Sequence, residues 1–181
     1  MDSTVVAVLV VALALIGIAL YFFRRRTVLR QRFGPEYERA VAAAGSPIRA
    51  EAELEARAKR VSKYQIHPLS PDDGVRFSTA WRQLQSRFVD DPDGAVREAD
   101  LLVTDLMATR GYPMTDFDRR AEDLSVDHPE VVNHYRQAHR IAARRDGSDR
   151  VTTEDLRQAV MHYRALFEEL LEVAGSRRRP A

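Results

Sequence analysis

The run from Val5 to Phe23, VVAVLVVALALIGIALYFF, is 19 residues long and carries no charge. Nothing else in the chain restricts its folding so tightly. With so few polar side chains, the backbone must satisfy its own N–H and C=O groups, and a helix does this within one segment. At about 1.5 Å per residue, such a helix is about 28 Å long, close to the ~30 Å hydrocarbon core of a bilayer. Tyr21, Phe22 and Phe23 close the run with rings of the kind that settle at a membrane interface, and Arg24, Arg25 and Arg26 follow at once. A cleaved leader needs positive charge before a shorter apolar core and a small-residue cleavage site after it. Here only Asp2 and the amino group precede the run, and arginines stand where cleavage would occur. The sequence therefore predicts a retained transmembrane helix over 5–23, preceded by a short extracytoplasmic N-terminus over 1–4. Arg24, Arg25, Arg26, Arg30 and Arg32 have no acid among them, so the positive-inside rule places the N-terminus outside and the rest of the chain in the cytoplasm.

Charge divides the remainder. Residues 24–64 carry 11 basic and 5 acidic side chains, whereas residues 65–173 carry 14 basic and 21 acidic ones. A basic juxtamembrane stalk is thus expected over 24–64, an acidic domain over 65–173, and a basic flexible tail over 174–181, with Arg177, Arg178 and Arg179 near its end. Arginine outnumbers lysine 26 to 2, a bias typical of high-GC bacterial genomes. The absence of cysteine excludes disulfides, thiolate metal sites and a cysteine nucleophile.

Beyond the apolar run, the chain reads as helices. Proline followed by an acid recurs at Pro35-Glu36, Pro71-Asp72, Pro92-Asp93 and Pro129-Glu130, a pattern suited to a first helical turn. Ser70 with Asp73, Asp127 with Glu130, and Thr152 with Asp155 have the spacing of capping boxes or close variants. Between these starts, apolar residues step by three and four: Phe77, Trp81, Leu84 and Phe88 in 70–90; Ala95, Ala99, Leu102 and Leu106 in 92–109; Phe117, Ala121 and Leu124 in a shorter piece. Val131, Tyr135, Ala138 and Ala142 continue the pattern in 128–144, as do Leu156, Val160, Tyr163, Phe167 and Leu170 in 153–173. No stretch alternates as a strand would. Turns fall at Gly111-Tyr112-Pro113 and at Asp146-Gly147-Ser148-Asp149. Gly34-Pro35 should break the first helix, a second should run from Pro35 to Ala44, and the charged, Ala-rich stretch 47–64 should form an exposed helical stalk. The fold class expected is all-α: a transmembrane helix, a charged helical stalk and a compact domain of four to five helices.

The scattered glycines form no phosphate-cradling loop, and no serine has a nucleophile-elbow setting. The acidic domain, and the lack of aromatics interleaved with the basic residues, argue against nucleic acid as a partner. One cluster, DLSVDHPEVVNHYRQAH over 123–139, gathers three of the five histidines with several carboxylates. Glu130 and His134 are spaced i, i+4 for one helical face, His128 and His139 are too far apart for one ion, and a metal site would need His162 from the last helix. His128, Glu130, His134, His139 and His162 are therefore weak metal-ligand candidates, set against capping for Asp127 and Glu130 and a satisfied core histidine for His139. No cofactor is expected, and Trp81, Phe77 and Phe88 read as core.

The strings LRQRFGPEYERAV (29–41), RFVDDPDGAVREAD (87–100), RGYP (110–113), AEDLSVDHPEVVNHYR (121–136) and TEDLRQAVMHYRALFEEL (153–170) span most of the chain. Through them, it resembles a family of uncharacterised single-pass bacterial membrane proteins, mainly actinobacterial and often labelled "secreted protein" or "hypothetical protein". The resemblance implies no activity, cofactor or catalytic residue. The function expected is a non-enzymatic interaction or scaffolding module on the cytoplasmic membrane face, its partner another protein or a second copy of itself. The alternatives are a metal-binding protein or metal-dependent enzyme using the 123–139 cluster, and a sensor of anionic lipid surfaces through the juxtamembrane arginines.

Overall fold

The structure, a computed structural model, describes residues 3–145 and 151–176; the side chains of residues 3–5, Ala7, Leu9, Phe22, Arg145 and 173–176 lie outside the description. The turn expected at 146–149 and Arg177–Arg179 of the tail also lie outside the described residues. The described residues form helices joined by turns, with no strand among them: α1 Ser3–Phe33, α2 Pro35–Ala44, α3 Pro47–Val61, α4 Pro71–Arg87, α5 Pro92–Thr109, α6 Phe117–Asp127, α7 Val132–Arg145 and α8 Thr153–Ser176. The all-α reading holds.

The chain divides into two compact units, residues 1–56 and 57–181. In the first, α1 ends at Phe33, and Gly34 (φ 46°) reverses the chain into Pro35 of α2. Gly45 ends α2 in the left-handed conformation (φ 67°), its N–H donating to Val41 O. Leu29, Phe33, Tyr37, Ala40, Ala50 and Leu54 are buried. The Tyr37 hydroxyl donates to Glu51 Oε1 at 2.9 Å, and Arg25 clasps Glu55 through Nε and Nη2, each at 2.6 Å. Residues 47–56, within the stalk expected from the sequence, have one face buried and the other exposed. Ala50 and Leu54 are covered while Ile48 is exposed, and two of the glutamates are tied to α1 and α2, because Gly34 and Gly45 fold these helices back on one another.

Among the described residues no helix is long and apolar enough to cross a membrane. The part of α1 whose apolar side chains are described without a gap, Val10–Tyr21, covers about 18 Å. The longer run expected from the sequence depends on Val5, Ala7, Leu9 and Phe22, whose side chains lie outside the description.

In the second unit, α5 packs on α4 and on α8, α8 packs on α7, and α7 on α6. The core takes Phe77, Trp81 and Leu84 from α4, Val96, Val103 and Leu106 from α5, Leu124 from α6, Tyr135 from α7, and Tyr163, Leu166 and Leu170 from α8. Trp81 stacks on Phe167 with ring centroids 4.5 Å apart. Helix starts follow the expected chemistry. Ser70 Oγ accepts from Asp73 N at 3.0 Å, and Thr152 and Asp155 exchange both bonds of a capping box. Asp91 and Asp116 cap α5 and α6 in the same manner. The link over 65–70 lies extended against the end of α5, with His67 N donating to Arg110 O at 3.0 Å. This close approach requires Gly111: its φ is 92°, and a Cβ there would stand 2.4 Å from Gln65 O.

One boundary differs from expectation. Asp127 does not open a helix with Glu130; it is the last residue of α6, and α7 begins at Val132. Pro129 disfavours helical backbone at the residue before it, and His128 accordingly takes φ −133°, ψ 57° and caps α6.

Candidate functional site

The histidine-bearing end of the second unit, formed by α6, α7 and α8, is where the ionisable side chains gather. The five candidates separate there into distinct settings. His128, held at the α6 C-cap and buried, has Nδ1 3.0 Å from Glu169 Oε1 on α8. Glu130 is exposed in the turn before α7, outside the helix that would have set it on the His134 face. His139 stacks on Phe117, with centroids 3.6 Å apart and planes 10° from parallel. His134, in the first turn of α7, meets His162 of α8 with their Nδ1 atoms 2.8 Å apart, one ring donating to the other. Burial, His134 and Arg140 together hold the His162 imidazole below its usual value. Among the described residues no group of three or more histidines and carboxylates could hold a metal ion. The cluster thus contributes one pair of imidazoles, with His162 as the partner from the last helix.

A second ionic centre was not evident from the sequence. Asp123, 1% exposed on α6, accepts from Arg60 Nε at 2.8 Å and from the Tyr64 hydroxyl at 2.8 Å. Arg60 also donates to Glu122 Oε2 at 3.1 Å, and Arg57 and Arg119 stand 3.7 and 3.3 Å from the same carboxylate. Burial, then the Asp123 carboxylate, pushes the Tyr64 phenol above its ordinary value. Arg57, Arg60 and Tyr64, read from the sequence as stalk, are thus part of the second unit. The only signal was the position of Arg57 and Val61 on the Ala50–Leu54 face, which burial confirms.

Tyr163 donates to Asp100 Oδ1 at 2.8 Å, and Arg110, 2% exposed, donates from Nη1 to Leu170 O. These pairs join α5 to α8. Phe88 lines a small recess with Gln85, Arg157, Val160 and Met161, while Phe77 and Trp81 are core.

The residues expected at a membrane interface belong to the first unit. Tyr21, Phe23, Arg24 and Arg26 are exposed, Arg25 is bound to Glu55, and the Phe22 side chain lies outside the described residues. Phe23 and Arg26 line a groove with Ala19, Pro47, Ile48 and Glu51.

No known protein family, curated protein or solved structure matches the chain.

Proposed function

We propose that this chain is a single-pass, membrane-anchored interaction module of the actinobacterial kind it resembles, with no enzymatic activity. Its N-terminus lies outside, and its acidic helical unit is held at the cytoplasmic face of the membrane. The observation that carries the anchor is the exterior of α1. Val8, Val10, Val11, Leu13, Leu15, Ile16, Ile18 and Leu20 are all more than half exposed and point in every direction around the axis. A helix that is apolar all round finds no favourable exterior in water, where each exposed aliphatic side chain forgoes about 1.5–3 kcal/mol of burial. The uncharged run of 19 residues and the arginines at 24–26 supply length and direction. The interaction role is supported by the second unit, where Asp123, His128, Tyr163 and Arg110 are each bonded to a neighbouring element and do not converge on a cleft.

The test is crosslinking in intact cells, followed by gentle solubilisation and recovery of the chain. A stoichiometric protein partner, or a second copy of the chain, is the expected result. Recovery of a lone monomer across several crosslinker lengths would overturn the interaction role.

A further inference from the structure

We propose that His134 and His162 form a two-histidine chelate for a divalent transition-metal ion of the copper(II), nickel(II) or zinc(II) class, bridging α7 to α8. The two nitrogens already face each other at 2.8 Å, with ring centroids 5.1 Å apart and planes tilted by 34°. Metal–imidazole bonds of about 2.0–2.1 Å at a right angle set two nitrogens about 2.8–3.0 Å apart, and at the tetrahedral angle about 3.3–3.4 Å apart. A cis pair on a square-planar ion therefore needs little change in separation, and a tetrahedral ion needs an opening of about half an ångström. Binding turns each ring so that its lone pair swings about 35–45° off the line between the nitrogens and toward the ion.

The backbones that carry the pair are fixed independently of it. His134 lies between buried Val132 and Tyr135, and His162 is followed by buried Tyr163 and Leu166. A site on two packed helices loses little conformational freedom when an ion binds. Both rings are partly exposed, so an ion can reach them and solvent can complete its coordination. Imidazole donors favour copper, nickel and zinc over the oxygen-seeking magnesium and calcium. Binding requires both rings to carry their proton on Nε2, so the proton shared at Nδ1 moves to the outer nitrogen of its own ring through solvent. Arg140 opposes a second positive charge here, and among the described residues no carboxylate joins the pair, so the affinity is modest.

The experiment titrates the full chain in detergent with copper(II) and, separately, with zinc(II). One ion per chain is expected, and an ion at about 100-fold excess over its Kd should raise the Tm by roughly 5–10 °C. The electron paramagnetic resonance spectrum of the copper form should show coupling to two imidazole nitrogens. In H134N and in H162N the Tm rise should disappear and the two-nitrogen pattern collapse to one nitrogen or none. Two results overturn the proposal: a copper spectrum without two-nitrogen coupling in the unaltered chain, or a metal response unchanged in both variants. The spectrum of the unaltered chain decides the matter even if a variant folds poorly. Neither result bears on the membrane anchor or the interaction role.

Discussion

Tyr135 shows what burial does to a single side chain. It is 0% exposed, between Phe117, whose ring centroid is 4.8 Å away, and Tyr163 at 6.5 Å. Burial pushes its phenol up to about 12; Arg120 opposes that shift, and Asp100 adds to it. The folded chain therefore holds this proton to higher pH than the unfolded chain does. The associated stability is complete below pH 10 and is lost as pH rises from about 10 to about 12, amounting to about 2–3 kcal/mol. Urea unfolding of Y135F followed over this range should show a loss smaller by that amount, and equal slopes for the two proteins would contradict the assignment. The Tyr135 spacing marked it as core from the sequence. The sequence offered His162 only as the ligand a metal site here would need from the last helix; that it meets His134 was not readable, because the two are 28 residues apart and no local pattern relates them.

Among elements, the helix starts were the most predictable feature. Ser70, Thr152 and the prolines at 35, 71 and 92 act through neighbours within one turn, so their chemistry is complete in a short window of sequence. Pro129 was the exception. It carries the same proline-acid signature, but it closes α6 and leaves a turn before α7, since its effect on His128 prevailed over its tolerance in a first turn. The end of α3 depended on a partner 63 residues away, Asp123, and this is why Arg57–Tyr64 read as stalk. Replacing Asp123 by asparagine leaves Arg60 beside a neutral amide in a partly buried site. D123N should lower stability by about 2–3 kcal/mol, less than a fully buried pair because Arg60 retains solvent and Glu122. Chemical denaturation measures this loss. A change under about 0.5 kcal/mol would mean that the network does not hold α3 to α6.

For the molecule as a whole, the absence of cysteine makes topology directly testable. With S3C and S86C introduced singly, a membrane-impermeant maleimide should label position 3 in intact cells. It should reach position 86, exposed on α4, only after the inner membrane is opened. Labelling of position 86 but not of position 3 in intact cells would reverse the proposed orientation, and labelling of both would remove the span between them. What the sequence determined by itself is whatever acts locally or through bulk composition: the helical class, most helix starts, the apolar run with its arginine border, and the division of charge. Periodicity and capping need only a few consecutive residues, and the preference of an uncharged run for hydrocarbon needs no fold. Tertiary structure alone decided which side chains meet across the chain: Asp123 with Arg60 and Tyr64, His128 with Glu169, and His134 with His162. Those contacts follow from how the apolar stripes of separate helices pack together, and spacing within any one helix does not encode that registration.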